Sequence, residues 1–381
     1  MGNARRGRFG WGIVAVAALA VLPPGCGGCS SKNDSFPPTL TFPSRADRLV
    51  LKLPNKPAQA LNNVSERDKE IAALDSVGGM TADPATTPAD SREALANFLK
   101  ETFGTPAAPK DIAPSLKLTG AHLAEGSKLF RRHCLQCHNM AGDGRGPAGT
   151  TLPFPRDYRQ GAFKFVTSGE GMKPRRADLL HTLHDGLKGT AMPAFSLLQE
   201  GERDLLAGYV IFLSIRGQVE FESLRAIIET QPNNPAAQLK AVVAEWEKAE
   251  AAPPVPSAPD DGGSESSAHQ EAVRRGFKLF TAKADNSCIS CHGDFGRKPV
   301  LRYDVWGTVA KPANFTEPTF KAGNRPEDVY ARIRFGIAPV GMPAHPKYSE
   351  REVWDLVRFV MSAPYPVRLP PDVRAAVYPN P

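Results

Sequence analysis

Cysteine is scarce in this chain and absent from most of its length. The 381 residues contain six cysteines. Two of them, Cys26 and Cys29, lie near the amino terminus, and the other four form two close pairs. No cysteine remains elsewhere to form a structural disulfide, which excludes a disulfide-stabilised framework.

The chain also lacks a run of Lys and Arg interleaved with aromatic residues. Its formal net charge is +7, and residues 1–25 contribute Arg5, Arg6 and Arg8 without any acidic residue. Removal of that segment would leave a charge of +4. This modest, dispersed charge argues against nucleic acid as a partner.

The amino-terminal apolar run, from Phe9 to Leu22, has about fourteen residues and is too short to cross a bilayer comfortably. It follows the three arginines and ends at Pro23-Pro24-Gly25-Cys26, which resembles a bacterial lipoprotein cleavage site. We therefore interpret residues 1–25 as a signal peptide and Cys26 as a lipid anchor to the membrane. An ordinary secretory peptide and an uncleaved anchor are alternatives. All three predict a protein that is periplasmic or on the outer face of the membrane.

One short string occurs twice in the chain. Residues 134–138 and 288–292 both read C-x-x-C-H, the attachment signature of c-type haem. In that chemistry two thiols bond to the porphyrin and the adjacent His binds the iron. The sequence therefore predicts two haems, with thioether and proximal residues Cys134, Cys137, His138, Cys288, Cys291 and His292. A pair of zinc knuckles is the alternative, but each string has a single adjacent His and no further Cys nearby.

A Met-Pro-Ala string follows each haem string after some fifty residues. Met192 and Met342 are predicted to be the distal iron ligands, because a soft thioether favours Fe(II) and raises the reduction potential. Both precede Pro in a predicted loop, which argues against an ordinary core position. The rivals Met140, Met172 and Met361 have no such matched context.

The two halves can be superposed along the sequence at an offset of 150 residues, as Gly126 with Gly276 and Gly186 with Gly336 show. Each half has helical periodicity in three places. Small residues at 126 and 276 would let the first and last helices cross closely. No convincing strand pattern is present. The predicted helices are 120–133, 177–185 and 202–215 in the first half and 269–283, 326–335 and 349–362 in the second.

Together these features resemble the class I cytochrome c fold used twice, over roughly residues 118–216 and 268–364. The resemblance implies an all-α protein with two tandem haem domains. The predicted organisation is a signal peptide at 1–25, a partly ordered tether at 26–117 with a helix near 90–101, a first domain at 118–220, a helical segment and flexible linker at 221–267, a second domain at 268–366 and a tail at 367–381.

Two finer details follow from this interpretation. The Gly-rich residues 142–147 are predicted to form a tight loop against the porphyrin, with a backbone carbonyl near Pro147 holding the proximal His. Pro299 is predicted to do the same in the second domain. His181 and His184 are interpreted as solvated residues on a helix face.

The resemblance implies an electron carrier in a respiratory chain, which docks to redox partner proteins and performs no bond chemistry itself. A peroxidase-like enzyme is an alternative, but it needs one iron with an open site, and the matched Met-Pro loops argue against that. An electron-transfer subunit of an oxidoreductase or oxidase complex stays open as a further alternative.

Overall fold

The structure, a computed structural model, describes Met1 and residues 35–59, 67–283 and 287–379. The predicted signal peptide beyond Met1 and the predicted lipid-carrying Cys26 lie outside these residues. The residues described from 35 onward fall into one compact unit. Most of the regular structure in this unit is helical, which confirms the predicted all-α class.

The region predicted to be a tether contains regular elements that pack on both halves of the molecule. Strands β1 (Leu49–Lys52) and β2 (Met80–Ala82) pair antiparallel, and the helices are α1 (Arg67–Ala72) and α2 (Ala89–Phe103). The apolar face of α2 is buried in the first core, and Leu74 packs near Tyr303 of the second half. The apolar residues of this region pack against both halves, so the region has regular structure where it is described.

The first haem string directly follows the first helix of the first domain and forms a short helix of its own. The helices are α3 (Gly120–His133), α4 (Leu135–His138), α5 (Arg176–Asp185) and α6 (Glu200–Ile228). Thr119 caps α3 by accepting a hydrogen bond from the His122 amide at 3.4 Å. A side chain at Gly126 would place its Cβ 2.5 Å from the Leu205 carbonyl oxygen, so only glycine permits this crossing of α3 and α6.

The last helix of the first domain is longer than the sequence predicted. The expected helix ended at residue 215, with a separate helical segment placed within 221–267, whereas α6 continues to Ile228 and is followed by α7 (Pro235–Glu250). Val219 and Phe221 are buried, so the burial of α6 continues beyond the predicted end. Gly217 lies inside α6, where the absence of a side chain allows Arg159 to pack directly against the helix backbone.

The second domain repeats this arrangement. Its helices are α8 (Ser267–Thr281), α9 (Cys288–Cys291), α10 (Pro326–Phe335), α11 (Glu350–Ser362) and α12 (Pro371–Val377), and its strands β3 (Arg302–Tyr303) and β4 (Val309–Ala310) form a hairpin. A side chain at Gly276 would overlap the Asp355 carbonyl oxygen, so α8 and α11 cross as closely as α3 and α6. The strands were missed because each is shorter than any detectable alternation.

Both segments predicted to be linker or tail contact the second domain. Val255 and Ala258, in the linker, pack against its core, and Arg358 donates hydrogen bonds to Asp261 and to the Pro259 carbonyl. In the predicted tail, α12 buries Val373 and Val377, whose spacing of four residues places them on one face. None of the described helices combines the length and apolar character that a membrane crossing requires.

The two domains touch along a boundary centred on the β3–β4 turn. Trp306 in this turn is 4% exposed and donates its indole N–H to the Asp157 carbonyl oxygen at 3.0 Å. Lys164 of the first domain pairs with Asp304 of the second at 3.2 Å. The haem strings are therefore held in domains that share a polar, partly buried contact.

Candidate haem-binding sites

The first C-x-x-C-H string is wound into a tight helical turn. The His138 amide donates to the Cys134 carbonyl oxygen at 2.9 Å, which closes the turn and brings both thiols and the imidazole to one end of α3. Cys134 is buried and Cys137 half-buried, and both are free thiols. Burial raises the pKa of Cys134 to about 12, so its thiol is neutral at pH 7.

The His138 ring is held in one orientation by the backbone and by a neighbouring ring. Its Nδ1 lies 3.1 Å from the Arg156 carbonyl oxygen, and the Tyr158 ring stacks on it with centroids 4.8 Å apart. A carbonyl can only accept, so Nδ1 carries the proton and Nε2 is left with its lone pair. Burial lowers the pKa of His138 to about 4, which keeps the imidazole in the neutral form that binds metals.

The second string has the same arrangement. The His292 amide donates to the Cys288 carbonyl oxygen at 2.9 Å, and Nδ1 of His292 lies 3.1 Å from the Ala313 carbonyl oxygen. Phe315 takes the place of Tyr158, with its ring centroid 4.6 Å from that of His292. Burial lowers the pKa of His292 and raises that of Cys288 to about 11.

The two Met-Pro-Ala strings occupy equivalent loops. Each follows a glycine in the left-handed region, with φ of 67° at Gly186 and 68° at Gly336. The Met192 carbonyl accepts from the Leu187 amide at 3.1 Å, and the Met342 carbonyl accepts from the Ile337 amide at 2.9 Å. Both methionine side chains are partly buried. The structure thus gives the two predicted distal residues one shared loop geometry.

The donor set at each site fits a covalently attached haem. A pair of free cysteines lies beside an imidazole whose Nε2 is free. The Met-Pro-Ala loop of the same domain carries a thioether. No cluster of three or more His, Cys, Asp or Glu side chains suited to a metal ion occurs among the residues that the structure describes. The zinc-knuckle alternative therefore has no support in that part of the chain.

Comparison with protein families agrees with this geometry. The family described as cytochrome c oxidase, cbb3-type, subunit III matches the chain twice, at residues 121–210 and 271–360. The chain is a c-type cytochrome with two cytochrome c domains. Such domains imply covalently bound haem c, and two domains imply two haems.

The structure of this cytochrome was also compared with solved structures. A chain of the reducing HAO-like protein complex of Kuenenia stuttgartiensis is 26% identical, with a TM-score of 0.47, over 63% of this chain and 95% of that chain. A TM-score of this size supports no conclusion about function. No curated protein matches the cytochrome.

The carbonyl groups that hold the proximal histidines come from other residues than predicted. The Gly-rich loop is tight, but it folds back on the haem string, where the Gly146 amide donates to the Cys137 carbonyl at 3.1 Å. The chain reaches the His138 imidazole about ten residues later, at Arg156. The acceptors are therefore Arg156 and Ala313, and the assignments near Pro147 and Pro299 were wrong.

His181 is also placed differently from the prediction. Its Nε2 lies 3.5 Å from Asp328 of the second domain and its Nδ1 lies 3.3 Å from Asp185, so it is a boundary residue rather than a solvated one. The neighbouring His184 is exposed and lies beside Asp185. A single sequence shows the helix face but not which domain covers it.

A ladder of aromatic rings at each site was missed. In the first domain Tyr158 stacks on Phe163 with centroids 6.2 Å apart, and in the second Phe315 lies 6.0 Å from Phe320. Each pair is separated by five residues and the two pairs by 157, so this spacing was available in the sequence. Each ladder begins at the proximal histidine of its own site.

Proposed function

We propose that this cytochrome transfers electrons through two covalently bound haems, each with one His and one Met axial ligand, in a respiratory chain outside the cytoplasmic membrane. The observation that carries the proposal is that one donor arrangement is built twice. Bound haem supplies reversible one-electron exchange. Two irons that each had both axial positions filled by the protein would suit electron transfer, whereas peroxide chemistry needs one open iron.

The residues of the chain would hold and tune the cofactor. The four haem-string cysteines would form the thioethers, and the carbonyls of Arg156 and Ala313 would fix the proximal imidazoles with Nε2 facing the iron. Met192 and Met342 would occupy the distal positions from their matched loops. A neutral thioether opposite an imidazole favours the reduced state and so a high potential.

A redox titration followed by absorbance tests this function. We expect two one-electron steps, no high-spin fraction in either oxidation state, and a near-infrared band from each Met–iron pair. Peroxide turnover should be slow. A substantial high-spin fraction together with fast peroxide turnover would instead establish the peroxidase-like enzyme.

One class of partner is favoured by the family comparison. The matching family is described as an oxidase subunit, which supports a terminal oxidase or its complex as the electron acceptor. Reduced cytochrome mixed with oxidase-containing membranes should then be reoxidised in an oxygen-dependent manner. Oxidation that is equally slow with and without those membranes would exclude this partner.

Lipid anchoring through Cys26 is the remaining part of the proposal. The Cys26→Ala variant is expected to be released from membranes into the soluble exported fraction, because a lipidated cysteine needs its thiol. Fractionation followed by haem staining measures this, with Cys29→Ala as the matched control that should stay bound. Membrane association that survives in Cys26→Ala would assign the anchor to another feature.

A further inference from the structure

Cationic side chains from the first domain gather around Trp306 at the boundary between the two domains. The Arg156 guanidinium lies 3.7 Å from the centroid of the Trp306 ring and has no carboxylate within ion-pair distance among the described residues. Lys164 pairs with Asp304 at 3.2 Å. The other oxygen of Asp304 is already taken by the backbone and side chain of Thr308. Asp304 is therefore the carboxylate that pairs with this group, because Asp157, whose charge also acts on Arg156, is engaged by Arg159 at 2.8 Å.

Lys321 of the second domain belongs to the same group. Its charge acts on Lys164, and the charge of Arg156 acts on Lys321, which places cations from both domains within electrostatic reach of one another. Burial and then Arg156 lower the pKa of Lys164 to about 8. Desolvation, Arg156 and Lys311 also lower the pKa of Lys321. Like charges held together in this way are costly without an anion between them.

The two lysines are equivalent positions of the repeat. Lys164 directly follows Phe163, the last ring of the first aromatic ladder, and Lys321 directly follows Phe320, the last ring of the second. Each ladder starts at a proximal histidine. Each lysine is therefore fixed relative to its own haem site, and the equivalent ends of both sites meet at one boundary.

Haem carries the anions that such a boundary lacks, since each macrocycle has two propionate carboxylates. We propose that Arg156, Lys164 and Lys321 bind propionate carboxylates of both haems, so that the carboxylate edges of the two haems face each other across the domain boundary. This inference rests on the proposed function, because it needs a haem in each domain. It adds the orientation of the haems and a direct route for electrons between them.

A shared carboxylate site has a consequence that separate sites would not have. A cation stabilises the reduced state of any nearby iron, because reduction removes one positive charge from the centre. A lysine that lies between two haems therefore raises both potentials. A lysine that served one domain alone would affect only that domain.

The test is the Lys164→Gln variant, studied as the full-length haem-loaded protein by a redox titration followed by absorbance. Both potentials should fall, each by on the order of a threefold change in the reduction equilibrium constant, ~28 mV for one electron. The two steps are assigned with Met192→Ala and Met342→Ala, each of which displaces one of them. Lys321→Gln should give the same paired shift from the other domain.

Two control variants separate charge from packing. Lys164→Arg keeps the cation and should leave both potentials in place. Lys278→Gln removes an exposed lysine of α8 and should shift neither. The potentials should therefore shift only when a positive charge is removed at the boundary, and not when a lysine is removed elsewhere.

The shared site would be overturned if each glutamine variant shifted the potential of only one haem, or if neither variant shifted either potential. Both haems would still be present and functional in that case. Lys321 is more exposed than Lys164, so Lys321→Gln keeps the test available if Lys164→Gln does not fold. Loss of haem from the unmodified protein is a different result, because it would contradict the proposed function itself.

Discussion

Replacing Met192 with Ala is expected to lower the potential of the first haem by roughly 0.2 V, about a quarter of the ~0.8 V that axial ligands span. The neutral thioether that favours Fe(II) is lost, while Cys134 and Cys137 keep the haem attached. Absorbance should show a new high-spin fraction from one haem and loss of half of the near-infrared Met band. Met342→Ala should do the same to the second haem.

Met172→Ala is the matched control within the first domain. Its sulfur lies close to Gly169 in its own loop, and the equivalent position in the second domain, 322, is Ala. It should change neither the spectrum nor the potential. If Met172→Ala and not Met192→Ala displaces the first potential, the distal ligand has to be reassigned.

Removal of the Arg159 guanidinium should destabilise the first domain by ~3–5 kcal/mol, because it takes the closest cation from the buried Asp157 and the half-buried Asp47 and leaves only Arg45 to pair with them. Arg159 is 3% exposed and lies 2.8 Å from both Asp47 and Asp157. These contacts tie the amino-terminal region to the segment that holds His138. The Arg159→Met variant, which keeps the aliphatic stem, should therefore show a lower free energy of unfolding in urea.

Arg225→Met is the matched control, because Arg225 is 44% exposed on its side chain and pairs with Glu229 at the surface of α6. Its effect should be at most about 0.5 kcal/mol, as for other exposed pairs. Equal losses in the two variants would show that the buried network has no special role.

The Arg159 network also predicts a pH dependence. Burial alone would raise the pKa of Asp157, but Arg159 and then Arg45 hold it below its ordinary value. Its stabilising contribution is therefore complete above the unfolded pKa of about 3.9 and is lost as the pH falls through the lower folded value. Without Arg159 the pKa of Asp157 loses its main lowering cause and rises toward its ordinary value. The stability gap between Arg159→Met and the unmodified protein should thus narrow below about pH 4 in acid titrations followed by circular dichroism.

The sequence predicted the parts of this molecule that depend on local pattern. Helical periodicity located α3 and α8. The need for a close helix crossing explained, from the sequence alone, why residues 126 and 276 are glycine. The haem strings and the Met-Pro loops were found because their chemistry is contiguous or repeated. These features need no knowledge of which distant residues meet.

What could not be predicted depends on long-range contact. The carbonyl of Arg156 reaches His138 from eighteen residues away, and nothing in the identity of Arg156 marks its backbone as an acceptor. Strands β3 and β4 have two residues each, so their pattern is too short to detect. The charged boundary around Trp306 exists only because two domains fold against each other. A single sequence cannot show such a surface.

The intact mass of the exported protein under denaturing conditions tests the central claim most directly. Two thioether-bound haems should remain on the polypeptide and add the mass of two haem groups. Replacing Cys134 and Cys137 together with Ala should remove one of them. A mass equal to that of the polypeptide alone would contradict the assignment of both haem sites.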